Sequence, residues 1–268
     1  MPVLLRPRLC IIEGILYNRR VLIKAIACKV FTREIAQIVA ESDHTIDVSY
    51  LRQGLHDTPD LLRTTLQEEI DRIDAAADMH TQVHSSGRDY EAIVLAYGLC
   101  SNAICGIRSK RYRLIVPRAH DCIAMLMGSR ERYQKYFDEH PGTYWYSPGW
   151  IEQTVMPGPE RVENLRTKYV QEYGEENADY LMEMEQEWLR KYNRCTYVAW
   201  KHLDREEYQQ HAKDSADYLG WKYDSVEADD GLMRRLLTGE WDTSEVLIVP
   251  PGETVAPSYD GDILSSSL

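Results

Sequence analysis

Apolar residues along this chain fall into short runs that alternate with helical spacings. Val21 to Ala27 is apolar apart from Lys24, and predicts a buried strand ending at Cys28. Ile35, Ile38 and Val39 recur at helical intervals and predict a helix over 32–41. Thr45 to Leu51 predicts a second strand, closed by Gly54-Leu55-His56. Asp57-Thr58-Pro59 opens a helix that carries Leu61, Leu62, Leu66 and Ile70 and fades near Ala77. The runs 92–97 and 113–117 predict the third and fourth strands, and Asp121 caps a helix expected to continue through about Phe137. Residues 139–150 read as turn-rich around Tyr144-Trp145-Tyr146. Residues 159–192 read as charged, solvated helix. A strand over 196–200, helices over 204–219 and 232–237, and a last strand over 245–250 follow, and the serine-rich tail 265–268 is expected to be disordered.

Strands alternating with helices predict an α/β fold with mainly parallel sheet(s) flanked by helices. Two related Rossmann-like lobes are one arrangement this allows, since a strand ending in Val-Pro occurs in each half. The expected organisation is a first α/β lobe over 1–150 carrying the site, a charged helical segment over 151–192, and a second α/β portion over 193–268 packed on the first.

Reactive side chains collect where the predicted strands end. Cys28, His56, Cys100, His120 and Cys122 all fall at carboxyl ends, the edge along which open parallel sheets bind ligands. Thiolates and imidazoles together suit zinc, iron or another borderline-to-soft metal. Cys28, Cys100 and Cys122, with His120 as alternate ligand, would supply three ligands and leave one position open. Free cysteine is also among the most buried residue types, so core packing is the competing reading for each thiol. Cys10 and Cys195 are read as inert, and Cys105 as an additional ligand at most. His120 suits general acid–base work, with Asp121 either orienting it or capping the helix. The helix start is expected to lower the Cys122 thiol pKa. Gly98, Asn102 and Arg118 are assigned to cofactor binding, Gly98 through close backbone approach and Arg118 through its charge. The aromatics from Tyr144 to Trp150 are read as a pocket rim, a flat-cofactor stack or a sheet edge. His80 and His84 lie in a polar stretch without helical period, and a solvated loop is expected there.

Composition narrows the function classes. Lys+Arg 31 against Asp+Glu 43 gives a net charge of −12, which argues against the basic face that nucleic-acid binding needs. No apolar run reaches the roughly 20 residues of a membrane span, so no membrane association is expected. Met1-Pro2-Val3-Leu4-Leu5-Arg6 reads against a secretory signal. A cytoplasmic location is therefore expected, where six cysteines serve as ligands, reactive thiols or small hydrophobes rather than disulfides. The chain holds no dinucleotide fingerprint, P-loop, nucleophile elbow or Cys-x-x-Cys pair.

Together these residues resemble domain-of-unknown-function family 1638, found in archaea and bacteria. The resemblance rests on Ala27-Cys28, Gly54-Leu55-His56 with Pro59, Tyr97-Gly98-Leu99-Cys100 with Asn102, and Pro117-Arg118-Ala119-His120-Asp121-Cys122. It continues through Gly128-Ser129-Arg130-Glu131-Arg132-Tyr133 and from Pro141-Gly142-Thr143 to Pro148-Gly149-Trp150, covering about residues 20–250. Lys29 and Ser101 depart from the small residues usual at their positions. The resemblance implies association with corrinoid-dependent methyl-transfer systems, with a corrinoid as cofactor and a methyltransferase or corrinoid protein as partner. One reading is a metal- or corrinoid-associated protein acting on a small molecule in one-carbon metabolism. The other is a non-catalytic accessory protein that docks a methyltransferase through its charged helices, with structural cysteines.

Overall fold

The computed structural model describes residues 20–76, 89–259 and 261–268. Cys10, His80 and His84 lie outside the described residues. The chain forms β1 (Leu22–Cys28), α1 (Thr32–Glu41), β2 (Thr45–Leu51), α2 (Pro59–Asp74), β3 (Ala92–Ala96) and β4 (Leu114–Pro117). Two short helices follow, α3 (Cys122–Leu126) and α4 (Arg130–Glu139), then β5 (Thr143–Tyr146) and α5 (Pro148–Gln153). The remainder comprises α6 (Pro159–Tyr173), α7 (Glu175–Glu187), β6 (Arg194–Trp200), α8 (Glu206–Leu219), β7 (Lys222–Ala228), α9 (Gly231–Thr238), β8 (Val246–Val249), β9 (Thr254–Pro257) and β10 (Leu264–Ser267).

The fold is α/β with mainly parallel sheets flanked by helices. The larger sheet has the order β2-β1-β3-β4-β8, in which the first four strands are parallel and β8 runs antiparallel to β4. β1, β3 and β4 are buried nearly throughout because helices cover both faces, which is why they read as apolar runs, broken only by Lys24 in β1. From β1 the chain turns outward to β2 and then returns to the other side as β3. The gap between β1 and β3 is therefore the topological switch point of the sheet. A second parallel sheet has the order β5-β6-β7, and β9 and β10 form an antiparallel hairpin.

One apolar cluster joins the two parallel sheets. It runs from Ala27 and Phe31 through Met125 and Met127 to Trp145, Val198 and Trp200. The indole Nε1 of Trp200 donates to the Leu126 carbonyl at 2.9 Å, tying β6 to α3. A second cluster packs α2 and the hairpin on the far face of the larger sheet, and a third packs α8 on β6.

Several expected elements are corrected. The helix expected from Asp121 to Phe137 breaks in two, because Ser129 caps a fresh start with its hydroxyl accepting from the Arg132 amide at 3.3 Å. The aromatic run at 144–146 lies in a strand, β5, at the edge of the second sheet. β7, β9 and β10 were not anticipated, and Ser265, Ser266 and Ser267 of the serine-rich tail pair with β9 rather than standing free. The two strands ending in Val-Pro are antiparallel neighbours, with Leu114 opposite Val249, and not equivalents in two repeats.

Candidate functional site

The loops that leave β3 and β4 are hydrogen-bonded to one another. Leu99 N donates to Ala119 O at 2.8 Å, and Cys100 N donates to His120 O at 3.0 Å. These bonds extend the strand pairing past the sheet edge and fix Cys100 beside the His120–Cys122 segment. The approach is possible because residue 98 is glycine. A Cβ there would lie 2.7 Å from both N and Cα of Asp121, closer than real Cβ contacts come. Gly98 thus permits backbone-to-backbone approach; it is buried and does not line the cleft described below. The chain then passes through Cys100, Ser101 and Asn102 with φ of 45°, 57° and 63°. Three successive non-glycine residues in the left-handed region carry strain, of order 1 kcal/mol each.

Asp121 is held at two oxygens. One accepts from the Ile123 amide at 2.9 Å, capping α3, and the other accepts from the Tyr133 hydroxyl at 2.6 Å. Of its two expected roles the capping one is therefore present. Cys122 follows in the first turn of α3, and Cys28 ends β1 on the other side of the switch point.

These groups line one cleft of about 710 Å³, a size suited to a small-molecule ligand. Cys28, Cys100, Asp121 and Cys122 line one end with Tyr97, and the exposed His120 and His56 also face the cleft. The opposite wall comes from the second sheet and its helices: Tyr144, Trp145, Trp150, Arg161, Trp188 and Tyr192. Tyr144, Trp188 and Tyr192 contact one another with ring centroids 5.1 to 5.8 Å apart. The walls are pinned together at α5. The Arg33 guanidinium donates twice to Glu152 Oε1, at 2.8 and 2.5 Å, and Tyr208 donates to the same carboxylate.

The thiols of this cleft are free. Burial pushes the Cys100 thiol up to about 12, with further upward pressure from Asp121 and Cys28. Burial raises Cys28 as well, against backbone hydrogen bonds from Val30 and Lys29. Cys122 lies well above the ordinary thiol range, through burial first and then through Asp121, Cys100 and Cys28. The expected lowering at the helix start is thus reversed. A five-residue helix has a weak dipole, and desolvation of a thiolate outweighs it. The three sulfurs are close enough to oppose one another's ionisation, and each is a neutral thiol at neutral pH.

Other expected residues lie elsewhere. Arg118 is only 11% exposed, and it donates to the carbonyls of Thr243, Asp262 and Leu264 at 2.9, 2.8 and 2.5 Å. It fastens the C-terminal segment and does not line the cleft. Asn102 is exposed, and its carbonyl accepts from Arg63. Cys105 is outside the cleft, and Cys195 is buried with its thiol donating to Ala212 O at 3.3 Å. Lys29 is exposed and does not intrude on the site. Among the described residues, no group of three or more His, Cys, Asp or Glu side chains is arranged to hold a metal ion. The three thiols share a wall without forming a coordination cage.

Tyr97, Arg52 and Arg161 were not anticipated as cleft residues. Tyr97 stands one residue past β3, so the strand-end argument that found Cys100 reaches it too. Arg161 and Trp188 come from the charged helices and carried no such signal.

The profile of the family described as Protein of unknown function (DUF1638) matches residues 50–237, more than half of the chain. The chain belongs to domain-of-unknown-function family 1638. No curated protein and no solved structure matches it. The DUF1638 match contains β3, β4, Tyr97, Cys100, His120, Cys122 and the whole aromatic wall, while Cys28 precedes it. Among the described residues no helix is long and apolar enough to cross a membrane.

Proposed function

We propose that the protein is an enzyme or cofactor-binding protein of one-carbon (methyl-transfer) metabolism, and that its working centre is the thiol end of the cleft. The observation that supports this reading is that Cys28, Cys100 and Cys122, each at or just past the end of a different parallel strand of one sheet, line a single cleft. Sulfur donors with a neighbouring imidazole suit zinc or ferrous iron and not a hard, oxygen-seeking cation. Cys28, Cys100 and Cys122 would hold such an ion, with His120 as fourth ligand or as acid–base group at the exposed edge. The bound ion would supply Lewis acidity and a stabilised thiolate. The thiols are protonated as placed, so the ion must displace their protons and draw the sulfurs inward.

Metal analysis with zinc or ferrous iron tests the reading. Wild type is expected to bind one ion and to release protons as the thiols ligate, and Cys100→Ala is expected to bind at least tenfold more weakly. Near-zero metal in both proteins under anaerobic reconstitution would remove the metal centre.

A second reading, a docking protein for a methyltransferase or corrinoid protein, has one observation behind it. α6 has no buried residue, and Tyr173, Tyr180 and Met184 on the α6–α7 pair are exposed. In that case Tyr180→Ala weakens partner binding and leaves metal content unchanged.

A further inference from the structure

The Tyr97 side chain is 5% exposed and lines the thiol end of the cleft, yet its hydroxyl oxygen is buried without a hydrogen-bond partner. A buried hydroxyl left unpaired costs about 1–3 kcal/mol, so the position asks for an explanation. Packing does not supply one, since phenylalanine fills the same space without the penalty. A phenol keeps its proton throughout the neutral range and is an O–H donor there.

Its surroundings offer almost nothing for a donor to meet. The three free thiols are weak donors and weak acceptors. Each oxygen of Asp121, a carboxylate on this wall, accepts one hydrogen bond, from the Ile123 amide and the Tyr133 hydroxyl, and neither meets the Tyr97 hydroxyl. No acceptor reaches the Tyr97 hydroxyl in this structure. Its complement is a ligand that enters with an oxygen acceptor leading.

We propose that Tyr97 is a ligand-binding residue that donates to a carbonyl or carboxylate oxygen of a small molecule lodged between Tyr97, Cys28 and Cys100. This deepens the assignment of the cleft as a binding site, and it is argued for the metal-free protein, in which Cys28 and Cys100 are free thiols. The aromatic wall then covers the remainder of the ligand, and Arg52 stands on the cleft lining to meet negative charge, while Arg161 is paired with Glu185 at 2.6 Å.

Acetate and acetamide present the same acceptor oxygen with and without charge. Each is titrated into metal-free and zinc-treated protein, wild type and Tyr97→Phe, and the fluorescence of the cleft tryptophans Trp145, Trp150 and Trp188 is followed. Wild type is expected to saturate with at least one probe, and Tyr97→Phe to bind it roughly three- to tenfold more weakly, the loss of one hydrogen bond. Preference for acetate identifies a carboxylate ligand, and equal binding identifies a carbonyl. Urea melts without probe are expected to show Tyr97→Phe as stable as wild type or more so. Equal probe affinity in both proteins, no saturable binding to wild type in either form, or destabilisation by Tyr97→Phe would each overturn the assignment. Failure of zinc to bind bears on the metal centre alone, because the metal-free titration still reports on Tyr97.

Discussion

Replacing Gly98 by alanine is expected to pull Cys100 away from Cys122 and to destabilise the protein by about 1–3 kcal/mol, the usual cost of overpacking. The added methyl would sit 2.7 Å from N and Cα of Asp121 and 2.8 Å from its C. Backbone atoms cannot swing aside as a side-chain end can. Asp121 is also held by its cap on α3 and by Tyr133. The loops after β3 and β4 must therefore spread, at the expense of the Leu99–Ala119 and Cys100–His120 bonds. Two measurements follow this: urea unfolding, and the rate at which a thiol reagent labels Cys100, which should rise as the loop opens. Gly261→Ala is the control, since nothing lies within 4 Å of a Cβ built there. If Gly98→Ala unfolds and labels like that control, the close approach does not organise the site.

Glu34 is expected to make stability fall as pH rises through neutrality. It lies in the first turn of α1, 1% exposed, with Oε2 lacking a hydrogen-bond partner. Burial, with a smaller push from Glu152, raises its pKa from 4.5 to about 7. A carboxyl whose folded pKa exceeds its unfolded value binds more protons in the native state between the two. Its contribution is complete below about 4.5 and is lost as pH rises through about 7. The full span of that shift corresponds to about 3 kcal/mol, of which about 1 kcal/mol falls between pH 6 and pH 8. Glu41, Glu131 and Glu152 have lowered pKa values, so their opposite contributions are complete below that window. Urea melts at pH 6 and pH 8 should show wild type losing about 1 kcal/mol more than Glu34→Gln. Parallel pH dependence in the two proteins would mean that Glu34 does not titrate there.

The parts legible in the sequence are those where local pattern and tertiary burial agree. β1 and α1 were bounded within a residue because a strand covered on both faces needs an apolar run and a one-faced helix needs its period, and the half-buried edge strand β2 was bounded by its β-branched residues and the turn at Gly54. β7 has Tyr223 and Val226 among charged and small residues, and β10 is a leucine followed by three serines. Neighbouring strands make these segments extended, and propensity does not. β5 was hidden by its neighbours, Pro141-Gly142 before it and Ser147-Pro148-Gly149 after it. For the site, location was legible and direction was not. Strand ends put Cys28, Cys100 and Cys122 on one edge whatever their rotamers, but Arg118 follows carbonyls at 243, 262 and 264 that no local pattern announces. The Cys122 pKa went the other way because burial is a property of the assembled cleft.

The strand that completes the larger sheet has a consequence for how the protein is made. β4 is wholly buried, and its outer neighbour is β8, which leaves the ribosome only after residues 118–245 have been synthesised. Until then Leu114 to Pro117 presents open amide and carbonyl groups along an apolar edge, the kind of surface on which nascent chains aggregate. The pairing also bridges a long sequence separation, which slows folding through the entropy of loop closure. A chaperone that shields the β4 edge during translation would therefore raise the yield of native protein more than one that acts after release.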